Sequence, residues 1–134
     1  MKAVRLSCLI LCLGLLAPLV AQEGHPMNGT WSGDWGTSPR GERNHTTLIL
    51  QFDGKSITGL VDPGPDSANI RVATLDSRTW TVRFEYDLKD KSGKAVPFIV
   101  TAKLENASSR PNRMIVGTYT HGGSKGDFKI KLDL

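Results

Sequence analysis

After Gln22 the apolar residues of this chain recur at every second position and never at helical spacing. Successive side chains of a strand point to opposite faces, so this period marks strands with one buried face. The clearest stretch is "RTWTVRFEYDL", where Trp80, Val82, Phe84 and Tyr86 share one face and Thr79, Thr81, Arg83 and Glu85 the other. "DFKIKLDL" sets Phe128, Ile130, Leu132 and Leu134 against Lys129, Lys131 and Asp133. Leu48, Leu50 and Phe52 alternate in the same way, as do Phe98, Val100, Ala102 and Leu104.

The pattern predicts eight strands, at about 29–35, 45–52, 55–61, 69–75, 79–87, 96–104, 113–120 and 127–134. Turn signals separate them: Asp53-Gly54 reads as a two-residue hairpin turn, Asp76-Ser77-Arg78 as a short turn, and "DPGPDSAN", "KDKSGKA", "NASSRPN" and "HGGSKG" as loops. Short connections place sequence neighbours side by side and antiparallel. The expected fold is all-β, an eight-stranded antiparallel up-and-down β-barrel, with a β-sandwich as the alternative. Closure is favoured because it removes two exposed edges.

The first 24 residues, "MKAVRLSCLILCLGLLAPLVAQEG", open with Lys2 and Arg5, continue as an apolar run from Leu6 to Leu16, and reach a cleavage region at Pro18 to Ala21. This is the layout of a secretory signal peptide, too short for a comfortable membrane span. The expected organisation is a signal peptide over 1–21 and one domain over 22–134, secreted or periplasmic, with no stable membrane anchor after processing. Cys8 and Cys12 both leave with the signal, so the mature chain depends on a hydrophobic core and not on disulfides. Loss of Lys2 and Arg5 lowers the formal net charge from +4 to +2, and no Lys/Arg-rich run remains, which argues against nucleic acid as a partner. Asn28, Asn44 and Asn106 each begin a sequon near turn residues, readable as glycan acceptors or as chance.

Gly29-Thr30-Trp31 places a G-x-W motif on the first strand of this meander. In that respect the chain resembles the calycin barrels: lipocalins, fatty-acid-binding proteins and avidins. The resemblance implies that Trp31 plugs the closed end of a barrel and that a basic residue near the last strand, Lys129 or Lys131, packs on it. An eight-stranded barrel has an interior that side chains fill or that holds one small ligand, here an apolar or amphipathic one to suit the apolar inward face. Gly33, between Trp31 and Trp35 on one face, reads as a place where the strand bends or an aromatic lies over backbone.

In an up-and-down meander the connections alternate between ends. Those at 36–44, 62–68, 88–95 and 121–126 are long, while two of the others are tight, which points to a mouth at the first end. There the sequence places Arg40, Arg43, His45, His121 and Lys125, with Glu42, Asp62, Asp66, Lys89, Asp90, Lys91 and Lys94 nearby. The expected ligand-lining wall is Trp80, Phe84, Tyr86, Phe98 and Phe128, with the Tyr86 hydroxyl toward the mouth, where it meets water or a polar head group. His45 and His121 both fall at this end and could share a metal with Asp62 or Asp66, but such sets are usually surface residues, so no metal and no cofactor are assigned. No nucleophile elbow, zinc motif or phosphate loop is present, and no catalytic residue is assigned. Three functions stay open: a non-enzymatic protein that takes a ligand into the barrel, an interaction or scaffold module with a filled barrel, and a small hydrolase.

Overall fold

The computed structural model describes residues 24–134; the expected signal peptide lies outside the described residues. Nine strands follow in order: β1 (Gly29–Gly36), β2 (Asn44–Phe52), β3 (Ile57–Val61), β4 (Ala68–Asn69), β5 (Val72–Asp76), β6 (Thr81–Lys89), β7 (Ala95–Glu105), β8 (Met114–His121) and β9 (Ser124–Leu132). One 3-10 turn, Arg110–Asn112, interrupts the β7–β8 connection. All pairings are antiparallel, in one sheet of order β4-β3-β2-β1-β9-β8-β7-β6-β5. The architecture is therefore all-β, up-and-down and barrel-like. Its first and last strands pair, from Trp31 opposite Leu132 to Gly36 opposite Asp127.

Nine strands arise from eight expected runs because the fourth is divided. Residues 68–70, with β4, bond to β3: Leu60 pairs with Asn69, and the Ile70 amide donates to the Gly59 carbonyl at 3.0 Å. One residue later the Arg71 amide donates to the Glu85 carbonyl at 2.8 Å, and β5 pairs with β6 thereafter. The two nominal edges of the sheet are thus consecutive pieces of one run, which hands over from β3 to β6 and bends the sheet back on itself. Arg71–Asp87 at 2.6 Å and Lys89–Asp66 at 3.7 Å bridge the handover on its β6 side.

Two turns differ from expectation. The Asp53 amide donates to the Ser56 carbonyl, so Gly54 and Lys55 are the central residues, one position on from Asp53-Gly54. The Asp53 carboxylate accepts the Lys55 and Ser56 amides and fixes this turn, while Gly54 takes the φ of +94°. The connection expected at 121–126 is a tight Gly122-Gly123 turn, because His121 already pairs with Ser124.

The alternating faces meet inside. Trp31, Leu48, Val61, Val82, Phe84, Tyr86, Phe98, Val100, Ile115, Phe128 and Ile130 are fully buried. Leu134 lies beyond the end of β9 and is exposed. At the end opposite the mouth, residues 25–28 fold under the sheet and add Met27 to the core. The Trp31 indole Nε1 donates to the Met27 carbonyl at 2.9 Å, the Phe52 amide donates to Asn28 Oδ1 at 2.6 Å, and the His25 ring stacks on Phe52 at 4.1 Å. Trp31 is buried at this end, but Lys129 and Lys131 are exposed on the outer face, so neither basic residue packs on it. Their parity along β9 is opposite to that of Phe128 and Ile130, which turns them outward.

Candidate functional site: the cleft at the mouth

The strand ends at the mouth surround a cleft of about 800 Å³. Trp35, Thr37, Glu42 and Asn44 form one side, Lys89 to Ser92 and Val96 another, and Tyr119 and His121 to Ser124 the third. A more open groove of about 710 Å³ lies on the outer face of the β5–β6 hairpin, between Thr74, Asp76, Arg78, Thr81 and Arg83. It has no aromatic lining, so the mouth cleft is the stronger candidate for a small ligand.

The cleft stands on an aromatic column that rises from the core. Phe98 stacks on Tyr86 at 5.1 Å and on Tyr119 at 4.8 Å, and Phe128 lies 6.3 Å from it. Trp35 caps the column, edge-on to Phe98 and Tyr119 at 4.9 Å each and to His121 at 6.3 Å. Register produces this set: Phe98 faces His121 across β7–β8, and Trp35 faces Phe128 across β1–β9. His121 Nε2 lies 3.0 Å from the Leu88 carbonyl, an acceptor, so Nε2 carries the proton in this bond. Burial raises the Tyr119 hydroxyl above its usual range, assisted by the Asp127 charge, and keeps it a neutral donor at physiological pH.

Around the rim the charges are partly spent. The Asp90 carboxylate accepts the Ser92 hydroxyl and the Ser92 and Lys94 amides, which lowers its pKa and folds the β6–β7 loop around it. Lys89 leans toward Asp66. Lys91 and Glu42 remain as oppositely charged rim groups on different loops.

The expected ligand wall is otherwise arranged than a lumen requires. Phe84, Tyr86, Phe98 and Phe128 have no exposed surface at all. A water-sized sphere reaches none of them, so no void of that size adjoins them. Tyr86 does not meet water: its hydroxyl is buried with no hydrogen-bond partner, and burial with the Asp62 charge raises its pKa strongly. Asp62 is occupied by Thr46 Oγ1 and the Thr47 amide, both at 2.9 Å. Trp80 leaves the wall altogether. It sits in the β5–β6 turn with φ of +57° and is 40 % exposed, because the left-handed backbone at this position takes it out of the alternation that begins at Thr81.

Of the five expected mouth residues, only His121 lines the cleft. Arg40 is an exposed loop residue, Lys125 is exposed opposite Thr120, and His45 is exposed on the outer face opposite Asp34. His45 and His121 thus face different sides of the wall, and among the described residues no cluster of three metal-ligating side chains exists. Arg43 also lies outside the cleft. Its guanidinium is bidentate to Asp127 at 2.8 and 2.7 Å, reaches Asp34 at 2.8 Å, and donates to the Ser38 carbonyl at 3.1 Å. These carboxylate bonds hold Arg43 above its usual range and Asp127 below its own. Trp35 and Tyr119 are the floor residues missing from the expected site. The placing of Trp35 on the Trp31 face was the available signal.

No known family model, curated protein or solved structure matches this chain.

Proposed function

We propose that this is an exported, non-enzymatic binding protein of calycin-like design that takes a small amphipathic ligand at its mouth. The ligand's apolar part lies on Trp35 beside Tyr119 and His121, and its polar part meets Lys91, Glu42 and the loop backbone. The carrying observation is the half-buried Trp35 ring at the base of an 800 Å³ cleft. That volume suits one small molecule, and an aromatic floor with few polar groups is the usual composition of such a site. The filled core beneath explains why the ligand is placed at the mouth and not in a lumen.

The test is a titration of the mature protein with anilinonaphthalene sulfonate, an aromatic amphipathic anion, followed by probe emission and tryptophan quenching. Saturable binding is expected. Trp35→Ala should weaken it at least about tenfold, or about 1.4 kcal/mol, and Trp80→Phe, at the other end, should not. Absence of saturable binding of this probe and of a fluorescent fatty acid would reject the reading.

One observation favours a second reading. The absence of accessible surface on Phe84, Tyr86, Phe98 and Phe128 suits an interaction or scaffold module that works through its loops. Native mass spectrometry of protein from its own host separates the two. A co-purifying small molecule supports the first, and a co-purifying protein with no small molecule supports the second.

A further inference from the structure

Arg43 is spent on the outer wall, yet what it holds is a wall of the cleft. We propose that Arg43 is the positioning residue of the mouth: it ties the β1–β2 loop across β1 to β9, so that Thr37 and Glu42 stand as a preformed wall of the cleft. This rests on reading the cleft as a ligand site.

The chain order sets up the reach. Arg43 lies between Glu42 and Asn44, both of which line the cleft, and its own side chain turns to the opposite face. To meet Asp127 on β9 it must cross β1, and it crosses at Gly36, the residue paired with Asp127. A Cβ at position 36 would stand 3.0 Å from Arg43 Nη1, 3.4 Å from its Cδ and 2.6 Å from the Glu42 carbonyl oxygen. Glycine at 36 is therefore what leaves the path open.

The fork then acts on the loop at two points. One nitrogen is shared by Asp127 and the Ser38 carbonyl, the other by Asp127 and Asp34. Ser38 organises the loop tip, since its Oγ accepts the amides of Arg40 at 3.2 Å and Gly41 at 3.1 Å. The line of contacts runs from β9 through Arg43 to Ser38 and so to the tip. A planar guanidinium can bridge two carboxylates and a carbonyl at once, whereas a lysine ammonium is a point charge without that fork.

A loop that is competent only part of the time lowers apparent affinity by its competent fraction. The experiment compares wild type with Arg43→Lys, Gly36→Ala and Asp127→Asn, by hydrogen exchange of amides 37–43 and by stopped-flow binding of anilinonaphthalene sulfonate. Arg43→Lys preserves the charge, Gly36→Ala keeps every ionic group but obstructs the path of the Arg43 side chain, and Asp127→Asn serves if either of the others fails to fold. The expected result is faster exchange confined to 37–43 and an affinity about five- to tenfold weaker, carried by slower association. Unchanged loop exchange overturns the proposal. Faster exchange with unchanged affinity overturns it too and leaves a clamp that serves the fold alone. Failure of the wild type to bind both this probe and a fluorescent fatty acid sinks the ligand reading itself, and this role with it, whatever the exchange data show.

Discussion

Replacing Phe98 with alanine removes the ring at the centre of the aromatic column. Phe98 has no exposed surface, and its ring lies within 4.8 to 5.1 Å of Tyr119, Trp35 and Tyr86. Truncating a buried phenylalanine costs about 3–5 kcal/mol. Each aromatic pair contributes about 0.5–1.5 kcal/mol beyond its buried area, which puts this site at the upper end of that range. The stability of a domain of this size is about 5–15 kcal/mol, so the loss takes about a third of it or more. With a urea slope of about 1.5 kcal/mol/M, the unfolding midpoint should fall by about 3 M. Phe98→Leu retains most of the apolar volume and should cost only about 1–2 kcal/mol. Urea unfolding of the protein, followed by far-ultraviolet circular dichroism and by tryptophan emission, measures both. A loss below about 1.5 kcal/mol for the alanine variant would mean that the ring borders empty space. That result would refute the filled interior and reopen a lumen as the place for the proposed ligand.

Gly33→Ala should cost about 3 kcal/mol or more, read as a fall in thermal midpoint, because the new Cβ would strike the Lys129 carbonyl oxygen and lie 2.7 Å from Ile130 Cα; a midpoint within a few degrees of wild type would contradict the close β1–β9 approach. Tyr86→Phe removes a buried hydroxyl that has no partner, so stability should be unchanged or rise by about 1 kcal/mol; a clear loss in urea unfolding would reveal a bond to that hydroxyl. His25 has its pKa lowered first by burial and then by the Arg113 charge, and its Nδ1 accepts the Met27 amide, which requires the neutral ring. The unfolded chain protonates this ring near pH 6.5, before the folded one does. Stability should therefore be full above that pH and decline as pH falls toward the depressed folded value. His25→Gln should flatten the stability profile in that window, and an unchanged slope would assign the acid sensitivity elsewhere.

Most of the fold is legible in the chain because one property, apolar parity, decides which face of a strand is buried. Val82, Phe84 and Tyr86 follow it, and so do Phe98, Val100, Ala102 and Leu104. Parity carries no signal of a change of partner: "ANIRVATLD" reads as a single strand although its hydrogen bonds pass from β3 to β6 between Ile70 and Arg71. It also assumes an unbroken extended backbone. One left-handed residue is enough to send Trp80 to solvent, and nothing in a tryptophan announces a positive φ. The mouth is less legible for a different reason. Loop composition tells which charges gather at one end, but the side of the wall each faces depends on what it bonds. Arg43 turns outward because Asp34 and Asp127 wait there, from strands 9 and 84 positions away in sequence. Trp35 is readable as inward-facing, but its depth along the strand, at the cleft and not in the core, follows only from the sheet register.

The pairing of β1 with β9 has a consequence for synthesis. β1 ends at Gly36 and its partner begins at Ser124. At about 5–20 residues per second, the roughly 90 residues between them take about 4–18 s to be made. For that interval one side of β1 has no neighbour, and the nascent chain carries an open strand edge that invites association with other chains. The strand that waits is "GTWSGDWG", rich in glycine and with an aspartate on its outer face, and such residues are poor templates for foreign strands. Gly33, which lets the β9 backbone approach closely at the end, thus also helps to keep β1 unattractive to strangers until β9 arrives.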